Sequence, residues 1–203
     1  MSADPAVHRD ALEPAGADAD PGATEFLLLE ELFVAAATAK GLPGRKIIAR
    51  LKDGVLLGQA LGLKREPVEF LYARAHRWGT IGEHARAERL FRALCIIEAG
   101  CADHWVGLGI CLRARSHWPE AVAAFERATA LRPHWDIPHL HLLELSARRR
   151  DWTRAAAELA AFEQKTTTQT PLALTAEADR YRAAIELHLS EQPGAHIAGE
   201  PSP

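Results

Sequence analysis

One spacing constrains this chain more than any other feature: small and bulky residues recur 34 positions apart. Trp118 and Trp152 are separated by that distance, and three further sets of residues repeat it. A period of this length indicates a repeated pair of antiparallel helices, and such pairs stack on their neighbours to bury a continuous core. The aligned sets are Ala87, Ala121 and Ala155; Phe91, Phe125 and Leu159; and Leu71, Trp105 and His139.

The middle copy, which begins at Ala102, is the most complete. An early Trp, a Leu-Gly pair, a central Ala, a Phe and a closing Pro are the marks of the tetratricopeptide repeat. The first copy begins at Val68 and the third, a weaker match, at Asp136; terminal repeats are expected to be atypical. The middle copy reads Trp105, Leu108, Gly109, Leu112, Ala121, Phe125, Ala128 and Pro133.

The sequence therefore predicts an all-α chain of three tetratricopeptide repeats, with an N-terminal helical segment and a C-terminal capping helix. Residues 23–66 are predicted to form an N-terminal helical segment, which opens on an unusually apolar helix that must be covered by something. Residues 67–167 hold the repeats and 168–190 the capping helix. Residues 1–22 and 191–203, rich in Pro, Gly and small residues, are expected to be disordered tails.

Composition excludes several classes of function. A net charge of −3 and a pI near 6.4 give no electrostatic case for nucleic acid. We expect neither a secretory signal nor a membrane span, and three cysteines without a paired motif indicate a reducing cytoplasm. Catalytic motifs are missing, and Cys101, His104 and Cys111 lack the short paired spacings of a zinc site. The sequence thus predicts no enzyme, no cofactor and no metal.

Two stretches of the repeats resemble a known family. Ala93-Leu94-Cys95 is followed after a short turn by a helix containing Gly107-Leu108-Gly109 and Cys111, and Leu71-Tyr72-Ala73 precedes both. This arrangement resembles the class II chaperones of bacterial type III secretion, which guard hydrophobic translocator proteins. The resemblance covers about the central half of the chain.

That resemblance implies a cytoplasmic, ATP-independent chaperone that binds one or two translocators through a short extended segment held in its concave groove. Members are often homodimers and use their N-terminal helical region for dimerisation. The apolar N-terminal helix fits this role independently, and we expect the dimer interface to include Phe26, Leu29, Leu32 and Phe33.

Groove residues follow from the repeat, because the first helix of each copy builds the inner face. The slots predict a cargo-binding groove of Tyr72, His76, Val106, Ile110, Arg113, Ile137, Leu140 and Glu144, and the resemblance adds Ile97. Each has a structural alternative: Tyr72 as a packing aromatic, Ile110, Leu140 and Ile97 as core, and His76 as a surface residue. His76, Gly79 and His84 also stand where the family carries further groove aromatics.

Two other binding functions remain open at this point. A generic repeat adaptor would dock a folded partner or capture a C-terminal carboxylate, for which basic groove slots are usual; here Arg113 alone is basic. A chaperone of a needle subunit is the other alternative, although such chaperones are usually shorter. The sequence does not decide which translocator is bound, or whether the chain regulates transcription.

Overall fold

The computed structural model describes residues 21–190, and for residues 21–26 and 28 it describes the backbone alone. Within that range the chain is helical, as the repeat period predicts. The helices are α1 (Pro21–Ala39), α2 (Gly44–Lys52), α3 (Leu57–Ala60), α4 (Arg65–Thr80), α5 (His84–Ile97), α6 (Ala102–Ala114), α7 (Trp118–Leu131), α8 (Ile137–Arg148), α9 (Trp152–Lys165) and α10 (Leu172–Ser190).

The helices form two compact units, one holding α1 and α2 and the other α3 to α10. In the first unit α1 and α2 meet at Gly44, where a side chain would lie 2.8 Å from the carbonyl oxygen of Val34. Ala37 and Ile47 are buried between them. The second unit begins at Leu56, so it includes α3, which the sequence placed with the N-terminal segment.

The three predicted repeats are the helix pairs α4–α5, α6–α7 and α8–α9, each packed against the next. The middle pair ends where its sequence predicts: Pro119 lies in the first turn of α7, where its missing N–H is not needed, and α7 stops before Pro133. Asp151 caps α9 by accepting a hydrogen bond from the backbone of Arg154 at 3.0 Å.

Phenylalanines from α5 and α7, the second helices of the first two repeats, pack on glycines of α6. A Cβ at Gly109 would lie 2.6 Å from the ring of Phe125, which is fully buried within the same repeat. A Cβ at Gly107 would lie 2.3 Å from the ring of Phe91, which belongs to the preceding repeat. The two glycines therefore allow α6 to approach α7 on one side and α5 on the other.

The turn inside each repeat holds one residue with a left-handed backbone. These residues are Gly82, Ser116 and Arg150, with φ of 84°, 63° and 58°. They are themselves 34 positions apart, so the backbone repeats even where the side chain does not. Arg150 is the last of three consecutive arginines that begin at Arg148, the final residue of α8, and its backbone turns the chain toward α9.

The last helix, α10, closes the array. Ala178 and Ile185 of α10 lie in a core cluster with Leu140, Leu143 and Phe162 of the third repeat. The ring of Trp152 stacks on His188, with 4.0 Å between the ring centroids. The predicted capping helix is present, and within residues 21–190 no helix is long and apolar enough to cross a membrane. The predicted tails, apart from Pro21 and Gly22, lie outside the described residues.

Candidate functional site

A pocket of about 520 Å³ lies beside Tyr72, between the first helix of the first repeat and the start of α6. We call it the Tyr72 pocket. Its wall is apolar at Val68 and Tyr72 and charged elsewhere, where three carboxylates and one arginine line it. Its lining is Arg65, Val68, Glu69, Tyr72, Glu98, Cys101, Asp103 and His104.

Tyr72 is half-buried and held by neighbouring rings. Its ring meets Phe91 edge-on at a centroid distance of 6.0 Å and lies 5.7 Å from the ring of His104. Burial, with smaller contributions from Asp103 and Cys101, raises the pKa of Tyr72 above its usual value. The phenol therefore stays protonated at neutral pH and can donate a hydrogen bond into the pocket.

His76 extends the same face of α4. It is exposed, and its ring stacks beside that of Tyr72 with 6.4 Å between centroids. The two residues predicted for the groove in the first repeat therefore lie together.

A second group of predicted residues meets where α6 faces α8. Arg113 pairs with Glu144, and its guanidinium lies 3.2 Å from Nδ1 of His141. Burial lowers the pKa of Arg113, while Glu177 of α10 and Tyr181 oppose that shift. Burial, and then the charge of Arg113, lower the pKa of His141 to about 3, so this imidazole is neutral and accepts from the arginine.

Two predicted groove residues are buried instead. Val106 is 7% exposed and Leu140 is 2% exposed, and both lie in the hydrophobic core. Ile110 and Ile137 are half-buried against the core formed by the first two repeats. The slot pattern identifies the right helices, but burial leaves Val106 and Leu140 almost no surface for a ligand.

Ile97 lies at the end of α5, against α3. A Cβ at Gly58 would lie 2.8 Å from its Cγ2, so the isoleucine packs on the glycine. It also lines a smaller cavity of about 280 Å³ that shares Val68, Glu98 and Cys101 with the Tyr72 pocket. Ile97 thus packs on α3 and adjoins the pocket without lining it.

The sequence analysis did not place Glu98 and Cys101 in the site. Both belong to the turn between α5 and α6, outside the inner-face slots of the repeat, and the turn carries them into the pocket wall. The Cys-x-x-His spacing of Cys101 and His104 was the available signal, because three residues bring side chains together at the start of a helix.

The apolar face predicted for dimerisation is exposed on α1. Leu29 is 65% exposed, Leu32 66% and Phe33 38%. The side chain of Phe26 lies outside the described residues. Glu30, on the same helix, pairs with Lys52 of α2 at 2.6 Å, which fixes how α1 packs on α2.

No family model matches the chain, and no curated protein is similar to it in sequence. Solved structures do match. The Yersinia enterocolitica type III secretion chaperone SycD, in complex with a peptide of the translocator YopD, has a TM-score of 0.60 and 19% identity over 63% of this chain and 98% of its own. The chain therefore shares the fold of SycD.

Two further structures have the same fold. PcrH, a protein of Pseudomonas aeruginosa, in complex with the chaperone binding region of PopD has a TM-score of 0.56 and 21% identity over 64% of this chain and 97% of its own. A type III secretion complex from Aeromonas hydrophila has a TM-score of 0.62 and 20% identity over 72% of this chain and 96% of its own. The likeness therefore spans nearly the full length of each of these solved chains.

Proposed function

We propose that this protein is a cytoplasmic chaperone of a type III secretion system that keeps hydrophobic translocators soluble and competent for export. The observation that carries the proposal is the fold, shared over nearly the full length of SycD and PcrH, both solved with translocator segments. The Tyr72 pocket supports it, because it offers an aromatic wall and a phenol donor on the inner helix of the first repeat.

The pocket suits a short extended segment better than a folded partner. Val68 and Tyr72 supply an apolar wall for one side chain, while Glu69 and Asp103 can accept hydrogen bonds from the segment's backbone amides. Translocators carry long apolar segments that aggregate in water, and this pocket is far too small to cover them. The chaperone then acts by anchoring one segment, and the apolar face of α1 serves dimerisation.

The proposed role is binding and not catalysis, with one or two translocators as partners and a homodimer as the working form. Burial raises the pKa of Tyr72 and disfavours its anionic form, so this phenol serves as a hydrogen-bond donor and not as a nucleophile.

The first test is affinity purification of the chain from its native cell, followed by identification of the proteins that elute with it. We expect one or two long, partly apolar, exported proteins that become insoluble when the chain is deleted. A folded cytosolic partner would instead support a generic repeat adaptor, and a short needle subunit would support a needle-subunit chaperone.

The second test concerns the pocket. Tyr72→Glu places a charge on the apolar wall, so we expect it to abolish binding of the co-purified protein. Phe70→Glu is the matched control, because Phe70 is an aromatic on the same helix that lines a different surface with Arg74 and Trp78. Thermal unfolding followed by circular dichroism should remain near wild type for both variants. Full affinity in Tyr72→Glu would remove this residue from the site.

A further inference from the structure

Three metal-ligating side chains converge at one edge of the Tyr72 pocket. Glu98, Cys101 and His104 each direct one ligand atom to the same place, and these atoms lie within 4.8 Å of one another. From the sequence, Cys101, His104 and Cys111 were considered together and no metal was predicted; Cys111 is buried elsewhere in α6. The structure replaces Cys111 with Glu98, from the turn before the helix.

The backbone holds these three residues in register. The amide of Cys101 donates to the carbonyl of Glu98 at 3.0 Å, and the amide of His104 donates to the carbonyl of Cys101 at 3.2 Å. The indole of Trp105 donates to the carbonyl of Ala99 at 2.9 Å, which fixes the turn between them. The cluster is therefore built on a closed turn and the first turn of α6.

The ligand set has a specific chemistry. Imidazole nitrogen, thiolate sulfur and carboxylate oxygen together are ligands of zinc, bound at about 2.0–2.3 Å in a tetrahedron. Ligand atoms in such a site lie about 3.3–3.8 Å apart, so the cluster must contract from separations of up to 4.8 Å. Glu98 can supply that movement, because its side chain is 42% exposed and its Oε2 lies 3.9 Å from Nε2 of His104.

His104 provides an independent sign. The residue is 4% exposed, and its Nδ1 is buried without a hydrogen-bond partner of good geometry among the described residues. Its Nε2 approaches Glu98 at a distance beyond a normal hydrogen bond. Backbone groups of Leu94 and Glu98 interact with this imidazole, and coordination of a cation at Nε2, which faces Glu98, would relieve the remaining cost of burying the ring.

We propose that Glu98, Cys101 and His104 bind one Zn²⁺ ion, with a fourth position open to the Tyr72 pocket. Three protein ligands and one open position are the arrangement in which zinc accepts water or a ligand atom. Asp103 is not one of the three ligands: its Oδ2 pairs with Arg132 at 2.6 Å and lies 4.0 Å from Sγ of Cys101. The ion would tie the α5–α6 turn to α6 and place a Lewis acid in the pocket.

Titration with Co²⁺, which substitutes for zinc and has a visible spectrum, tests the site. The full chain without an affinity tag, stripped by a chelator and kept in a non-thiol reductant, is titrated with Co²⁺ alone. We expect one equivalent to give a thiolate-to-cobalt charge-transfer band and the visible bands of a four-coordinate ion. Added Zn²⁺ should displace the cobalt and erase both.

Variants distinguish this cluster from adventitious binding. We expect Cys101→Ser to lose the charge-transfer band. We expect Glu98→Gln to weaken zinc binding by at least as much as the loss of an outer-shell partner, which typically costs about 10–100-fold in affinity. Cys111→Ser and His134→Gln, a buried cysteine and an exposed histidine outside the cluster, should retain the band. Absence of the band in the wild type, its survival in Cys101→Ser, or its loss in folded Cys111→Ser would overturn the proposal.

Discussion

At the scale of single residues, the packing of the array depends on Gly109 and Phe125. Alanine at position 109 would gain about 1 kcal/mol of helix propensity. Its Cβ, however, would lie 2.6–2.9 Å from three ring atoms of a fully buried phenylalanine, and overpacking of this kind costs about 1–3 kcal/mol. We expect Gly109→Ala to destabilise the protein by about 1 kcal/mol, measured by urea unfolding.

Two variants check that explanation. Gly79 also lies in a helix, but a Cβ there would meet nothing within 4 Å, so Gly79→Ala should be neutral or stabilising. Phe125→Leu should remove most of the penalty of Gly109→Ala, because the smaller side chain leaves room for the methyl group. Equal losses of unfolding free energy in Gly79→Ala and Gly109→Ala would contradict the explanation by packing.

His141 makes stability depend on pH. Its pKa is lowered to about 3 in the folded chain, against about 6.5 when unfolded, so below pH 6.5 the unfolded chain binds more protons. Its contribution to stability is complete above about pH 6.5 and is lost as pH falls toward 3, by about 1.4 kcal/mol per unit. We expect the free energy of unfolding to fall between about pH 7 and pH 5, where most carboxylates remain ionised.

The same urea series on His141→Gln should show a shallower dependence on pH, since glutamine can still accept from Arg113 but does not titrate. His134→Gln, at an exposed histidine, is the control and should keep the wild-type slope. An unchanged slope in His141→Gln would assign the pH dependence to other groups.

At the scale of elements, the left-handed turn gives a prediction about loops. Ser116 and Arg150 adopt a backbone that costs a non-glycine residue about 1–2 kcal/mol, whereas Gly82 adopts it freely. Glycine loses about 0.5–1 kcal/mol more entropy on folding. We therefore expect Ser116→Gly to stabilise by about 0.5 kcal/mol and Gly82→Ala to destabilise by about 1 kcal/mol in thermal unfolding. If Ser116→Gly destabilised the protein and Gly82→Ala stabilised it, side-chain contacts in the turns would matter more than the backbone conformation.

Helix ends were predictable where a nearby residue starts or stops the helix, as Pro119 and Pro133 do at the limits of α7, and the limits of α6 were predictable as well. The period also located the inner helices, because it fixes which residues face the neighbouring repeat. It could not tell that Val106 and Leu140 are buried, since burial depends on how closely adjacent helices approach. Glu98 was missed because it lies in a turn, where the repeat imposes no slot.

At the scale of the whole molecule, the exposed apolar face of α1 predicts self-association. Leu29 and Leu32 leave most of their surface in water, and covering such side chains stabilises by about 1.5–3 kcal/mol each. We expect the wild type to be a dimer by light scattering coupled to size-exclusion chromatography, and Leu29→Asp with Leu32→Asp to be a folded monomer. Leu172→Asp, at an exposed leucine of α10, should remain dimeric. A wild-type monomer at micromolar concentration would remove α1 from this role.

The capping helix also limits how much of a ligand the groove can hold. Leu140 shares a core cluster with α10, and Glu144 and Ala147 line a cavity with Tyr181 of the same helix, so α10 lies beside these three inner-face positions of the third repeat. The inner helices left free are α4 and α6, each about 10 Å across. At about 3.3 Å per residue, an extended segment lying across both measures about six residues. Under the proposed function, the recognised segment would therefore span about two helix widths, whatever the length of the protein that carries it.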